Sequence, residues 1–395
     1  MSAVGIVKNG QMATDMNLPD IHWCAKCVYP SSSAVPLRFD ENGICSGCRG
    51  AEERKHVDWE ERRALLLDLV EPYRKSSGYE CIIGVSGGKD SYYQTHFVKE
   101  VLGLKPLLVT YNGNNYLDVG WRNLLRMKEV FKVDHYIFSP SVDTLVRLNR
   151  LAFRKMGDMN WHAHGGIATL PMKIAVQFNI PLVFWGEHGF TYVGGMHKLN
   201  DFVEYTYRYR KDQFMRGYEW YDMLNDEEDP VAEHEVEWLK YPSDEEVRKV
   251  GLRGIHISFY DKWDPNEHTK LVTEKYGFEP SPVPFERTYR RSSNLDDRYE
   301  NGAHDYLKWI KFGYGRATDH ASKDIRDGYM TRAEGIEMVR KYDHVRPSDL
   351  YFWLNYVGRS EDWFDTIADS FRDPRVWRKD NRGVWHKRNI WEESK

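Results

Sequence analysis

The chain has no apolar run of membrane-spanning length, no marked excess of charge of one sign, and little cysteine. Each absence excludes something. A spanning helix needs about 20 predominantly apolar residues, so no membrane association is expected. The first twenty residues, MSAVGIVKNGQMATDMNLPD, lack the apolar core of a signal peptide. They are expected to form a flexible lead-in (1–20), and the protein is expected to be soluble and cytoplasmic. Lys and Arg total 56 against 60 Asp and Glu, a formal net charge of -4. Proteins dominated by nucleic-acid electrostatics carry a clear basic excess, so a nucleic-acid partner is not expected. Internal repeats and low-complexity tracts are missing too, which excludes solenoid arrays. At 395 residues the chain is long enough for a sizeable core and two domains with small appendages.

Of the five cysteines, four fall in two pairs, Cys24-Ala-Lys-Cys27 and Cys45-Ser-Gly-Cys48. A lone Cys-x-x-Cys would favour a redox dithiol. Two pairs at this spacing, in a cytosolic chain, predict a tetrahedral zinc site. Each pair places two thiolates on one knuckle, and Gly47 allows the tight backbone of the second. Four thiolates leave zinc no open position, so the metal is expected to hold structure in a ribbon module over 21–52.

Beyond residue 57 the pattern changes. VDWEERRALLLDLVEPYRKS (57–76) carries leucines at helical spacing. Then short apolar runs alternate with amphipathic stretches: CIIGV (81–85), PLLVTY (106–111), DHYIF (134–138) and PLVFWG (181–186), with helices near 89–101, 119–131, 142–156 and 167–178. That alternation predicts a doubly wound parallel α/β sheet over 53–195, with ligands beyond the carboxyl ends of its strands. From about 196 the chain becomes a mixed, mainly helical region. Ser243-Asp-Glu-Glu246 and Thr331-Arg-Ala-Glu334 are capping-box signals. GIHISFYD (254–261) has the pattern of a strand, and helices are expected over 303–326 and 360–372. The acidic run 226–229 and the basic, tryptophan-rich tail from Arg372 are expected to be solvated loop and partly docked segment. Aromatic residues make up 14% of the chain, which suits ring stacking and ordinary packing equally.

The junction CIIGVSGGKDSYYQTHF (81–97) carries the most chemistry. It fails the ordinary P-loop pattern, because Ile83 stands where the first glycine belongs and Asp90 where Ser or Thr belongs. Yet a strand followed by Gly87-Gly88 and a helix start is an anion cradle of exposed N–H groups. Ser86 and Ser91 add hydroxyls, Lys89 a point charge, and Asp90 a carboxylate for Mg²⁺ or for the helix start.

Ser86-Gly-Gly-Lys-Asp-Ser91 resembles the PP-loop of the ATP pyrophosphatases, whose fold is adenine nucleotide α-hydrolase-like. The order of zinc pairs, SGGKDS, LLVTYNGNN (107–115), WHAHGGI (161–167) and FWGEHG (184–189) resembles the N-acetyl sugar amidotransferases of surface-polysaccharide biosynthesis. FGYGRATDHASKDIRDGYMTRAEGIEMVRKYD (312–343) resembles that family as well, so the likeness covers most of 20–345. The resemblance implies a reaction in which ATP adenylates the acetamido oxygen of a nucleotide-activated N-acetyl sugar. Ammonia then replaces that oxygen, leaving an acetamidino sugar. It implies ATP, Mg²⁺ and structural Zn²⁺ as cofactors. It also implies ammonia from a separate glutaminase resembling the histidine-biosynthesis enzyme, with a cyclase-like companion. No cysteine is left for a glutaminase nucleophile, since Cys81 begins a strand.

On this resemblance, Ser86, Gly87, Gly88, Lys89, Asp90 and Ser91 bind ATP, and Tyr111 and Asn112 meet adenine or ribose. Lys89, Asp90 and Glu187 are the catalytic candidates. His162 and His164, before a Gly165-Gly166 turn, together with His188, Arg316, Asp319 and Lys323, are candidates for the sugar nucleotide. A tRNA-thiolating enzyme is the alternative; it would use the aromatic and basic stretch 205–211. A non-catalytic nucleotide-binding scaffold is a third reading.

Overall fold

The computed structural model describes residues 20–392. The expected lead-in, Asp20 apart, lies outside them. At the centre is a five-stranded parallel sheet: β1 (Cys81–Gly84), β2 (Pro106–Tyr111), β3 (His135–Phe138), β4 (Leu182–Trp185) and β5 (Arg253–His256), in the order β3-β2-β1-β4-β5. The order reverses between β1 and β4, which opens a crevice at their carboxyl ends. The inner strands are apolar almost throughout because both faces are covered. Cys81 and Ile83 face one cluster with Tyr92, Phe97, Leu124 and Phe131; Ile82 and Val183 face the other with Leu148, Trp161 and Ile174. The strand pleat sends alternate side chains to opposite faces.

Helix α1 (Ser46–Arg54) begins within the second cysteine knuckle, and α2 (Trp59–Val70) is opened by Asp58, whose carboxylate accepts from the N–H groups of Glu60 and Glu61. Helices α3 (Lys89–His96), α4 (Asp118–Phe131), α5 (Val142–Met156), α6 (Trp161–Gln177) and α7 (Gly189–Gly194) follow the sheet strands. No helix among the described residues is long and apolar enough to cross a membrane.

Several expectations are adjusted. WHAHGGI is not a turn: α6 starts at Trp161, and a Cβ on Gly166 would strike the Tyr111 ring, so these glycines serve close packing. The 254–261 strand ends at His256 and continues as a 3-10 turn, Ile257–Phe259. The predicted helix 303–326 is two helices, Asn301–Phe312 and Arg316–Asp327, parted at Gly313, whose φ is 73°. Both capping boxes form, at Ser243 and Thr331. Helices Arg332–Tyr342, Leu350–Val357 and Glu361–Ser370 complete the C-terminal region. The acidic run is not simply solvated: Asp229 is fully buried and pairs with Arg150 and Arg154 of α5. The tail closes as a hairpin, β6 (Trp377–Lys379) with β7 (Trp385–Lys387), and Arg372 lies over both Trp377 and Trp385.

Candidate active site

The site begins at the turn after β1. Gly87 has φ 76°, and a Cβ there would lie 2.7 Å from the Leu124 backbone, so only glycine fits. The buried Ser91 hydroxyl accepts from the Ser86 N–H at 2.8 Å and braces the loop. Thr110 Oγ1 donates to the Val85 carbonyl at 2.7 Å and ties the loop to β2. Gly88 is the N-cap of α3 and offers no side chain, so the first N–H groups of the helix remain available to an anion. Lys89 Nζ pairs with Asp90 Oδ2 at 2.6 Å, while Asp90 Oδ1 is enclosed without a partner. Burial opposes the Asp90 carboxylate, but Lys89 foremost, then His268 and Lys323, hold its pKa below the usual range. An ionised carboxylate with a free enclosed oxygen, beside a lysine and an anion cradle, fits a Mg²⁺–triphosphate.

Across the crevice, after β4, Glu187 pairs with Lys323 Nζ at 2.8 and 2.6 Å. Lys323 belongs to helix Arg316–Asp327, so the C-terminal region reaches the crevice directly. One turn further along that helix, Arg326 is buried. It donates to Cys48 Sγ at 3.4 Å, to Cys45 Sγ at 3.3 Å and to the carbonyl of Val193 in α7 at 2.9 Å. The four cysteine sulfurs lie within 4.8 Å of one another. Cys24 to Cys48 and Cys27 to Cys45 are both 3.8 Å. A zinc tetrahedron with bonds of about 2.3 Å has edges of about 3.8 Å, so the donor set fits zinc. Backbone N–H groups of Lys26, Cys27 and Cys45 point at Cys24 Sγ, as thiolate knuckles require. A Cβ on Gly47 would collide with the Arg326 guanidinium, so that glycine makes room for a partner 279 positions away as well as for the knuckle.

The remaining candidates separate into two groups. Arg316 and His164 belong to one partly open cluster of charged and polar side chains. His164 keeps 24% of its side chain open, yet burial pushes its pKa down to about 3. Burial likewise opposes the charge on Lys308, which keeps 21% open, although Asp319 holds it protonated. Asp158, His304 and Asp305 complete that cluster: Asp158 and Asp305 are buried, Asp158 lies 3.4 Å from Arg216, and Asp305 pairs with Arg316 at 3.0 Å.

The second group is engaged by neighbouring side chains and backbone. The Tyr111 hydroxyl meets His162 Nδ1 at 3.1 Å, and His162 Nε2 meets Asn149 and Glu300 at 3.0 and 3.2 Å. His188 is buried, accepts from the Thr191 N–H at the start of α7, and is held neutral by burial with a pKa near 4. Asn112 donates to Ser139 at 2.9 Å. Asp319 accepts from Tyr29 at 2.7 Å and pairs with Lys308. Arg326, Asp158, His304 and Glu300 had no sequence signal of their own; only the late motif's density of charge hinted at Arg326.

A curated protein of Methanocaldococcus jannaschii, described as uncharacterized, is 26% identical over 117 residues; the match covers 29% of this chain and 42% of that relative's length. Among solved structures, NMN synthetase of Francisella tularensis is similar over 73% of this chain and 93% of its own, at 13% identity and TM-score 0.37. The U34-tRNA thiolase NcsA of Methanococcus maripaludis, with its [4Fe-4S] cluster, is similar over 78% and 86%, at 14% identity and TM-score 0.32. The stretch that carries Arg316, Asp319, Lys323 and Arg326 falls within residues 286–390, which match the family model described as LPS biosynthesis protein WbpG-like, C-terminal domain.

Proposed function

We propose that this chain is an ATP-dependent amidotransferase of surface-glycan biosynthesis, acting on the N-acetyl group of a nucleotide-activated sugar. The acetamido oxygen attacks the α-phosphorus of ATP, and pyrophosphate leaves. Ammonia adds to the resulting imidate carbon; a proton is lost, and AMP departs with the oxygen, leaving an amidine. The turn after β1 bears the charge that grows on pyrophosphate: the free N–H groups at the start of α3 and Lys89 donate to it, and Asp90 would hold Mg²⁺. Donors already aimed at developing charge lower a barrier without reorganisation. Lys323 holds Glu187 at the other lip of the crevice, where a carboxylate can hydrogen-bond incoming ammonia. Arg316 and His164, in the partly open charged cluster, would meet the sugar nucleotide. Ammonia comes from a separate glutaminase, and enclosure keeps water from the adenylate.

One observation carries the reading. A glycine turn with unpaired helix N–H groups, a lysine and a half-free aspartate sits at the β1/β4 switch point, and the helix that closes it lies in the LPS-biosynthesis match. The tRNA-thiolation alternative finds less support. Arg210, in the basic stretch it relied on, is fully buried and paired with Glu219 at 2.6 Å. Cys81, the fifth cysteine, is fully buried in β1, and burial pushes its thiol pKa well up.

The test is a screen of nucleotide-activated N-acetyl sugars with ATP, Mg²⁺ and ammonium, read by mass spectrometry. Replacing oxygen by NH lowers the product mass by about one unit, and each product is matched by one AMP. Release of ADP, or AMP without a mass change in any sugar, would overturn the proposal.

A further inference from the structure

A cavity of about 290 Å³ lies away from the crevice, between the first cysteine knuckle, the end of helix Asn301–Phe312 and the β6–β7 hairpin. Its apolar wall is Trp23, Pro30, Phe312 and Val376, and its charged wall is Arg375, Arg378, His386, Lys387 and Arg388. Asp20 is the one acidic residue among the described lining residues.

These cations differ in how they are neutralised. Arg375 is paired with Asp373, and His386 with Asp380. Arg378 is satisfied by carbonyl oxygens, those of Pro374 and Trp377, which leave its charge in place. Lys387 Nζ finds only the Arg388 carbonyl, at 3.3 Å, and Arg388 lies over the Trp23 ring at 5.8 Å. Among the described residues, none of these three has a carboxylate partner. Three cations with no carboxylate at salt-bridge distance among the described residues converge on one recess backed by an indole. Burial pushes the Lys387 pKa down to about 8, with Asp343 and Glu392 offsetting part of that cost.

We propose that this recess is a second ligand site, one that takes a small phosphorylated molecule, its phosphate on Lys387, Arg378 and Arg388 and its organic body on Trp23 and Phe312. The volume is that of a compact ligand, near the lower end of small-molecule pockets. It is too small for a polymer. The site is joined to the crevice through a short path. Gly313 lines the recess, and three residues on, Arg316 opens the helix that carries Lys323. Ser32 Oγ donates to the Phe312 carbonyl at 2.7 Å, so the first knuckle is fastened to the same turn. Occupancy of the recess therefore bears on the residues that position Arg316.

The test uses the full chain with the PP-loop saturated by Mg²⁺ and a non-hydrolysable ATP analogue, so that the loop is not counted. Inorganic pyrophosphate and uridine monophosphate are then titrated by calorimetry. We expect one further site on the wild type and at least tenfold weaker binding in Lys387→Gln/Arg388→Gln, with zinc content and melting temperature unchanged. Trp23→Leu should weaken uridine monophosphate more than pyrophosphate, since only the former has a ring to stack. If neither probe binds, or if binding persists in the double variant and disappears in Arg316→Gln, the ligand is at the Arg316 cluster or nowhere and the proposal is overturned. Should the double variant fail to fold, Lys387→Met alone, which keeps the buried stem, gives the same reading.

Discussion

Single residues at the turn after β1 make the sharpest predictions. Lys89→Ala should lower AMP and pyrophosphate release by about 10²–10³-fold, the cost of one lost donor to developing charge. Its melting temperature should stay at the wild-type value, because Lys89 is held by Asp90 and not by the core. Wild-type turnover in this variant would remove the basis of the functional reading. Gly87→Ala should do worse, since it meets both a positive φ and the Leu124 backbone. We expect ATP affinity, measured by calorimetry, to fall at least tenfold. Several buried histidines contribute to the response to acid, His188 and His268 among them. His188 and His268 have pKa values pushed down to about 4 by burial, against about 6.5 in the unfolded chain. Between those values the unfolded state takes up protons that the folded state refuses. Stability is therefore complete above pH 6.5 and is lost as the pH falls towards 4, by up to about 3 kcal/mol for each ring. Urea titrations of His268→Gln should show a shallower loss over that window than the wild type.

At the scale of elements, helix Arg316–Asp327 links two places that lie far apart in sequence. Its Lys323 reaches Glu187 at the crevice, and its Arg326 reaches the cysteine sulfurs. Arg326→Gln should weaken zinc retention and raise the KM for ATP, with kcat less affected; Arg326→Lys, which keeps the charge, should recover part of both. A variant that retains zinc and KM would show that the contact is packing alone. Cys24→Ser should lower zinc content and thermal stability together, because metal binding is folding free energy for such a module. The contrast with what the sequence conveyed is physical. The turn was legible because its chemistry is local: two glycines, a lysine and an aspartate in six consecutive positions dictate a cradle wherever a strand precedes them. The cysteine pairs were legible for the same reason. Arg326 was not, because nothing near residue 326 announces a partner at residue 48. WHAHGGI was misread as a turn because Gly165 and Gly166 allow one; packing against Tyr111 and Leu239 decided for the helix instead.

The whole molecule is a sheet whose ligand edge is roofed by its own C-terminal third. The parallel strands up to β4 could be anticipated from the alternation of apolar runs and amphipathic helices, whereas their order in the sheet is set by long-range pairing that the alternation does not encode. The charged cluster could not be anticipated, since Asp158, His164, His304 and Arg316 come from α6, its preceding loop and two later helices, and meet only when the roof is on. Packing in the middle of the chain removes from the surface one cation that a nucleic acid would use: Arg210 donates to Thr169, Glu219 and the Leu239 carbonyl. With Arg210 buried against Glu219, the stretch 205–211 keeps Arg208 and Lys211 but loses its central cation. We therefore expect no tRNA shift at 150 mM salt in a gel assay; a complex with a steep salt dependence would argue for the thiolating reading.

The contact between Arg326 and the cysteine knuckles also has a temporal side. During synthesis the knuckles leave the ribosome first, and the arginine that packs on them follows after most of the chain has been made. Contacts of such long sequence separation form late and slow a chain's folding. Until that helix is translated, the four cysteines lack the guanidinium that covers them in the finished protein. A nascent chain stalled before codon 316 should accordingly show cysteines that an alkylating reagent reaches faster than in the finished protein.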